Sequence, residues 1–205
     1  MGLYSRYVLP RVLEFVMSQK AVMREREPTL AEAQGEVLEI GYGTGLNLTH
    51  YPSTVDRLTV IDPAEMLPAR VQQRIAAARM PVHIERCMAE HLPFDRGRFD
   101  CVVTTWTLCS IPDAKAALAE IRRVLKPDGQ YLFIEHGRSD DPRTAARQDR
   151  LDWWHGLISG GCHVNRPIDA LVRDSGLAIE RLDRFEMRGT PKYLAAHYRG
   201  AARVG

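Results

Sequence analysis

The spacing of apolar positions along the chain divides it into helical and strand-like stretches. From residue 3 to residue 26 the period is helical, with Val8, Val12, Phe15 and Gln19 marking one face and Leu9, Leu13 and Val16 flanking it. Such a helix is expected to lie over the core or over the mouth of a site. After Pro28 the pattern alternates. EVLEIG (36–41) reads as a buried strand ending in glycine, and RLTVID (57–62) as a second strand ending in an acid. A helical stretch follows, with Pro63 near its start and Pro68 expected to disturb its second turn. VHIERC (82–87) and DCVVTTW (100–106) are the third and fourth strands.

Residues 113–126 form the clearest helix, with Asp113 as its cap and Arg122, Arg123 and Lys126 suiting its C-terminal end. Pro127-Asp128-Gly129 turns the chain into QYLFIE (130–135). Helices are expected over 141–156 and 166–175, then two strands, AIERLDRFEM and KYLAAHYRG. Strands alternating with helices predict an α/β fold with a Rossmann-like, mostly parallel sheet covered by helices on both faces. The last two strands are too close for a crossover helix, so they predict an antiparallel pair at a C-terminal edge and seven strands in all. The pattern reads as a single domain, residues 1–205. Within it, 1–28 is a helical lid, 36–136 a cofactor-binding half and 137–205 an acceptor-side half.

Composition changes this picture little. Of 205 residues, 28 are basic and 26 acidic, a net charge of +2, so no basic face argues for nucleic acid. No run of about 18 apolar residues predicts a transmembrane helix. The charged positions inside the N-terminal apolar stretch do not read as a secretory signal, although its helix would suit peripheral membrane contact. Cys87, Cys101, Cys109 and Cys162 form no C-x-x-C pair and read as reduced thiols in a cytoplasmic protein.

The chemistry concentrates at Gly41-Tyr42-Gly43-Thr44-Gly45, directly after the first strand. Glycines there permit φ > 0 and let a ligand approach bare backbone, at the strand ends where open α/β sheets bind ligands. Asp62 lies 21 positions after Gly41, where an acid can accept hydrogen bonds from ribose hydroxyls. A dinucleotide fingerprint would need a third glycine at position 46, which is Leu46. Glu39, just before the turn, is awkward beside a pyrophosphate but suits a ligand carrying an ammonium and a sulfonium. S-adenosylmethionine carries both and no phosphate.

VLEIGYGTGLNL, VIDPAEML, AEHLPF, FDCVVTTWTLCSIPD and RVLKPDGQYLFIEH occur in unbroken order over residues 36–136. They resemble the successive motifs of class I S-adenosylmethionine-dependent methyltransferases of the type 11 group, which includes ubiquinone- and phospholipid-type enzymes. The resemblance implies that Glu39, Gly41, Gly43 and Gly45 hold the methionine end, with Thr44 and Asn47 nearby. It implies Asp62 on the ribose, Pro63 and Met66 bordering the adenine, Ala89 and Glu90 at the adenine edge, and Thr105 beside the methionine portion. Many relatives have aspartate where this chain has Met88, which leaves adenine to backbone groups and apolar packing.

The acceptor side is expected in LDWWHGLISGGCHVNRP (151–167). Trp106 and Cys109 join Trp153, Trp154 and Cys162 as acceptor-pocket candidates, and His163 and Arg166 as catalytic ones. Cys162-His163 lacks a matching second pair of ligands, so no metal is expected. TLCSIPD followed by SGGCH-x-N-R resembles the thiol methyltransferase branch, the methyltransferase-like 7 proteins and their bacterial relatives, which implies S-methylation of hydrogen sulfide or a small thiol. A thiol reacts as thiolate, so His163 would accept the proton, or His163 and Arg166 would stabilise the anion. Other small acceptors (a quinone carbon, a phospholipid amine), a cofactor-binding protein without catalysis, and an NAD-dependent oxidoreductase stand as alternatives.

Overall fold

The computed structural model describes residues 4–64 and 66–205. Seven strands form one sheet: β1 (Gly35–Ile40), β2 (Val55–Ile61), β3 (Val82–Glu85), β4 (Phe99–Thr105), β5 (Leu125–His136), β6 (Leu177–Glu186) and β7 (Ala196–Val204). Their order is β3-β2-β1-β4-β5-β7-β6. The first five are parallel, and β7 runs antiparallel to both β5 and β6. The antiparallel C-terminal edge is therefore a pair, with β7 inserted between β5 and the outermost β6.

Strand pleating sorts the core into two layers. Leu38, Ile40, Val102, Tyr131 and Phe133 point to one face. There α4 (Ala114–Val124) covers them with Ala117, Leu118 and Ile121, and α6 (Ile168–Asp174) with Ile168 and Val172. Val37, Leu58, Val60, Cys101, Val103 and Leu132 point the other way. They meet Leu30 of α2 (Lys20–Leu30) and Val71 of α3 (Pro68–Ala76). The chain starts in the middle of the sheet and builds outward in both directions. The carboxyl ends of β1 and β4 thus diverge into a crevice, the topological switch point.

Several expectations change in detail. The N-terminal helix is two: α1 (Leu9–Met17) and α2, broken at Ser18–Gln19; residue 3 lies outside the described residues. Its apolar face does not cover the core. Val8, Val12, Phe15 and Val16 are exposed, Phe15 by 69%, while Pro10, Glu14, Val22 and Arg26 are buried. The rotation is set by charge, because Glu14 meets Arg70 and Arg74 at 2.7 Å each. The glycine turn leads into successive tight turns over 43–50 rather than a regular helix. Hydrogen bonds from Gly45 to Tyr42, Leu48 to Gly45 and His50 to Asn47 span three residues each. Pro68 does not disturb a helix but starts one, after Leu67 at φ 47°, because a first-turn proline has no amide hydrogen to lose. Asp113 caps α4 as expected, accepting the amides of Lys115 and Ala116. The helix after β5 is α5 (Pro142–Ile158), capped by Asp141.

β7 owes its inner position to Gly200. A Cβ there would lie 2.4 Å from the Phe133 ring and 2.8 Å from the Arg181 carbonyl. Gly200→Ala is expected to destabilise the fold by about 1–3 kcal/mol through overpacking, read as a lowered denaturant midpoint with an unchanged slope.

Candidate functional site

The crevice is built first from the glycine turn. Gly41, Gly43 and Gly45 take φ of 74°, 54° and 80°. The Gly41 amide donates to Ile61 of β2 at 2.8 Å, which ties the turn to the neighbouring strand. A Cβ on Gly41 would strike Thr107 at 2.2 Å, whereas one on Gly43 would meet nothing within 4 Å. The bare backbone at Gly43 therefore faces open space. Asp62, at the end of β2, accepts the Gly43 amide at 3.1 Å and the Ala64 amide at 2.9 Å. Burial raises the pKa of its carboxyl against these two hydrogen bonds.

Glu39 is tied to the chain that follows the glycine turn. It is fully buried, accepting from Asn47 at 2.9 Å and from the Tyr51 hydroxyl at 2.8 Å. Burial raises its pKa, and the two hydrogen bonds and Arg26 oppose that. Glu39 thus shapes the turn through Asn47. Asn47 also donates to Thr105 at 3.0 Å, which joins the ends of β1 and β4.

Sequence reasoning passed over Arg26, which read as one more polar position on a lid. It is buried, donates to Asn47 at 2.5 Å, and stands 5.0 Å over the Trp106 ring. Its Nε is buried without a partner. Burial lowers its pKa to about 10 against the pull of Glu39, so it stays charged at neutral pH. A fixed cation bonded to Asn47, which follows the glycine turn, is what a ligand carboxylate requires. Glu14 completes this side, bonded to the Thr44 hydroxyl, while Arg74 donates to the Thr44 carbonyl at 2.7 Å. Burial alone would raise the Glu14 pKa, but hydrogen bonds from Arg74, Thr44 and Arg70 bring it down to about 2. Pro63, Met66, Ala89 and Glu90 follow β2 and β3 on the same edge. Ala89 is buried, and Glu90 accepts the Asp113 amide at 3.3 Å.

On the other side of the crevice, β4 is followed by Trp106, a non-glycine residue at φ 51°. Strain of this kind concentrates at functional sites. Glu135 of β5 fixes the following turn, accepting the amides of Thr107 and Leu108 at 3.1 and 3.0 Å. Burial pushes Glu135 up to about 8. Beyond it Cys109, His136 and Cys162 converge, with His136 Nε2 2.8 Å from Cys162 Sγ and the two sulfurs 3.4 Å apart. The Cys162 hydrogen bond, then His136, hold the Cys109 thiol below its ordinary range, and Cys162 is correspondingly raised. The rings of His155 and His197 stand 6.4 and 6.3 Å from His136. Burial lowers His197 to about 4, so it is neutral.

The sequence-predicted acceptor residues therefore divide. Trp106, Cys109 and Cys162 come together, joined by His136, which no motif had singled out. Trp153 and Trp154 do not join them: both lie exposed on the outer face of α5, 67% for Trp153, packed edge-on against each other. The face α5 buries is Thr144, Ala145 and Gln148, so its tryptophans turn outward. Arg166 donates from Nη1 to the carbonyls of Leu108 and Ile111 and so braces that loop. His163 is half exposed, its Nδ1 2.7 Å from Asp152 and its amide on the Cys109 carbonyl at 2.9 Å.

A parallel sheet switching direction between β1 and β4, with a glycine turn on one lip and an acid after β2, is the class I S-adenosylmethionine-dependent methyltransferase fold. A family model described as a methyltransferase domain matches residues 38–133, and the chain belongs to that family. It is 33% identical over 161 residues to the thiol S-methyltransferase TMT1A of Homo sapiens, covering 71% of this chain and 58% of that one. It is 29% identical to the phosphatidylethanolamine N-methyltransferase of Cereibacter sphaeroides, covering 71% of each. The Burkholderia thailandensis 1,6-didemethyltoxoflavin-N1-methyltransferase superposes with a TM-score of 0.67 at 19% identity, over all of this chain and 91% of that one. The chain spans 54–58% of the length of the three curated relatives it matches first. Among the described residues no helix is long and apolar enough to cross a membrane. The cofactor is S-adenosylmethionine. The open backbone at Gly43 and the unpartnered Arg26 Nε fit its methionine end.

Gly43→Ala is expected to weaken S-adenosylhomocysteine binding roughly tenfold or more, because it forces a side chain into φ > 0 and into the ligand's space, a strain of about 1–2 kcal/mol. Calorimetry checks this, with a circular-dichroism melt to show that the fold survives. The contact of α1 with the turn is expected to depend on pH. A carboxyl lowered from 4.5 to about 2 contributes stability that is complete above 4.5 and lost as pH falls toward 2. Hydrogen exchange of residues 9–17 should rise across that window in the wild type, and Glu14→Gln should flatten the dependence.

Proposed function

We propose that this chain transfers the methyl group of S-adenosylmethionine to the sulfur of a small thiol. The observation that carries this reading is the Cys109–His136–Cys162 nest behind Trp106. It lies at the carboxyl ends of β4 and β5, next to the edge that holds the glycine turn, and offers soft, compact surroundings to a small sulfur nucleophile. The 33% identity to a thiol S-methyltransferase supports it. When bound, the cofactor supplies an electrophilic methyl group on a sulfonium, which leaves without help from an acid. The chain's work is then alignment and exclusion of water, and positioning alone is worth about 7–11 kcal/mol.

Gly41, Gly43, Thr44, Gly45 and Asn47 would hold the methionine end, with Arg26 as the cation for its carboxylate. Asp62 would receive the ribose, and Pro63, Met66, Ala89 and Glu90 would border the adenine. Thr105 and Trp106 would separate donor from acceptor. His163 would take up the acceptor's proton. Asp152 beside Nδ1 orients the ring and leaves Nε2 to accept.

A lipid amine is the second reading, favoured by the apolar faces of α1 and α5 that stand in solvent and by the phosphatidylethanolamine N-methyltransferase relative. With labelled cofactor, hydrosulfide or ethanethiol is expected to exceed phosphatidylethanolamine vesicles and quinols by about 100-fold in kcat/KM. Preference for the vesicles would overturn the thiol reading. His163→Ala is expected to lower kcat/KM by about 10²-fold at pH 7. The loss should shrink above pH 9, where a thiol of pKa about 8.5 ionises unaided. A loss independent of pH would remove His163 as the proton acceptor.

A further inference from the structure

We propose that Cys109, His136 and Cys162 bind a zinc ion whose fourth position is open to the acceptor thiol. This rests on the thiol reading above and extends it. One sulfur, one imidazole nitrogen and a second sulfur lie within 4.8 Å of one another, delivered by three segments far apart in sequence. Two cysteines and a histidine are a zinc donor set, and three protein ligands with one open vertex are the arrangement of catalytic rather than structural sites. Tetrahedral zinc would set the sulfurs about 3.8 Å apart and nitrogen about 3.5 Å from sulfur. The observed separations of 3.4 and 2.8 Å open to these by side-chain shifts alone.

The backbone behind each ligand is pinned. Glu135 holds the amides of Thr107 and Leu108, Arg166 holds the carbonyls of Leu108 and Ile111, and the His163 amide holds the Cys109 carbonyl. Gly160 and Gly161, at φ 68° and 91°, make the bend that returns Cys162 to the cluster. Much of the polar apparatus here thus serves to aim three donor atoms at one point, which thiols packing as small hydrophobes would not require.

The chemistry balances. Two thiolates neutralise the ion, so the site carries no net charge into the interior. A thiol binding the fourth vertex loses its proton, which passes to His163 and solvent. Its sulfur then forms a bond to the methyl carbon while the carbon–sulfonium bond breaks, the electron pair returning to the cofactor's sulfur. The products are a thioether, a weak ligand that leaves the ion, and S-adenosylhomocysteine.

The test uses the full chain, purified without chelators and assayed for metal, then substituted with cobalt. The expected result is one zinc per chain and, with cobalt, intense tetrahedral d–d bands that shift when ethanethiol is added. Cys162→Ser and His136→Gln should each lower zinc affinity at least 100-fold, and Cys87→Ser, outside the cluster, should leave it unchanged. Zinc absent from the wild type after reconstitution, or held equally by Cys162→Ser, overturns the site. Cobalt bands unmoved by a thiol that the enzyme nevertheless methylates, or equal turnover in the stripped and loaded forms, overturn the open vertex while the thiol reading stands. A loaded chain whose cobalt bands respond to thiol but which methylates none leaves the ion site intact and overturns the thiol reading instead.

Discussion

A carboxylate with no access to water organises this molecule. Burying Glu39 costs several kcal/mol unless partners replace its hydration. The partners it finds are Asn47, Tyr51 and, more distantly, the Arg26 charge. Each one fixes part of the fold. Asn47 can reach Glu39 only if the chain doubles back through the glycine turn within eight residues. Tyr51 secures the far end of that return before β2 begins. Arg26 brings α2 down onto the crevice, and the break at Ser18–Gln19 then lets α1 lay Glu14 on Thr44. The glycine turn is thus shaped from behind, by a buried carboxylate.

The layers and strand order were legible because they follow from periodicity alone: alternating valines and leucines, Asp113 ahead of a helical run, a glycine closing the first strand. The glycine turn and Asp62 were legible because few residue types serve those positions. What stayed hidden was governed by charge pairs across the fold. Residues 8–16 carry an apolar stripe that periodicity assigns to the interior, yet Glu14 on the opposite face is buried, because Arg70 and Arg74 are 56 and 60 residues away in sequence. Trp153 and Trp154 read as pocket walls and lie on the surface, because α5 buries its Thr144, Ala145 and Gln148 face instead. Hydrophobicity shows that a residue can be buried, and only its neighbours decide whether it is. His136 was hidden differently: a single histidine at a strand end carries no spacing signal, and its meaning comes from the two cysteines that tertiary structure brings to it.

Trp106 is where the two halves meet. Its ring lies against Arg26 on the cofactor side and 6.2 Å from His197 on the acceptor side. Its positive φ turns the chain sharply off β4, so that Thr107 abuts Gly41 while Cys109 heads toward β5. A relaxed backbone at 106 would continue the strand direction and carry residues 107–109 away from the glycine turn. The strain is held by the Ile134 carbonyl, which accepts the Trp106 amide at 2.7 Å, and by Glu135, which takes the next two amides.

For the thiol acceptor proposed above, charge decides how the surroundings act. A thiolate and a sulfonium meet as opposite charges and leave as two neutral molecules, so the charge disappears as the transition state forms. Water stabilises the separated ions more than the neutralising transition state, and excluding it favours reaction. An amine meeting the same sulfonium only disperses a positive charge that persists in the product. The acceptor side pairs an indole with thiols and with His197, which burial keeps neutral. Arg26, the nearby fixed cation, lies on the Asn47 side of Trp106. In the reaction proposed above, the Arg26 charge would hold the donor, and a zinc ion neutralised by two thiolates would present the acceptor without net charge.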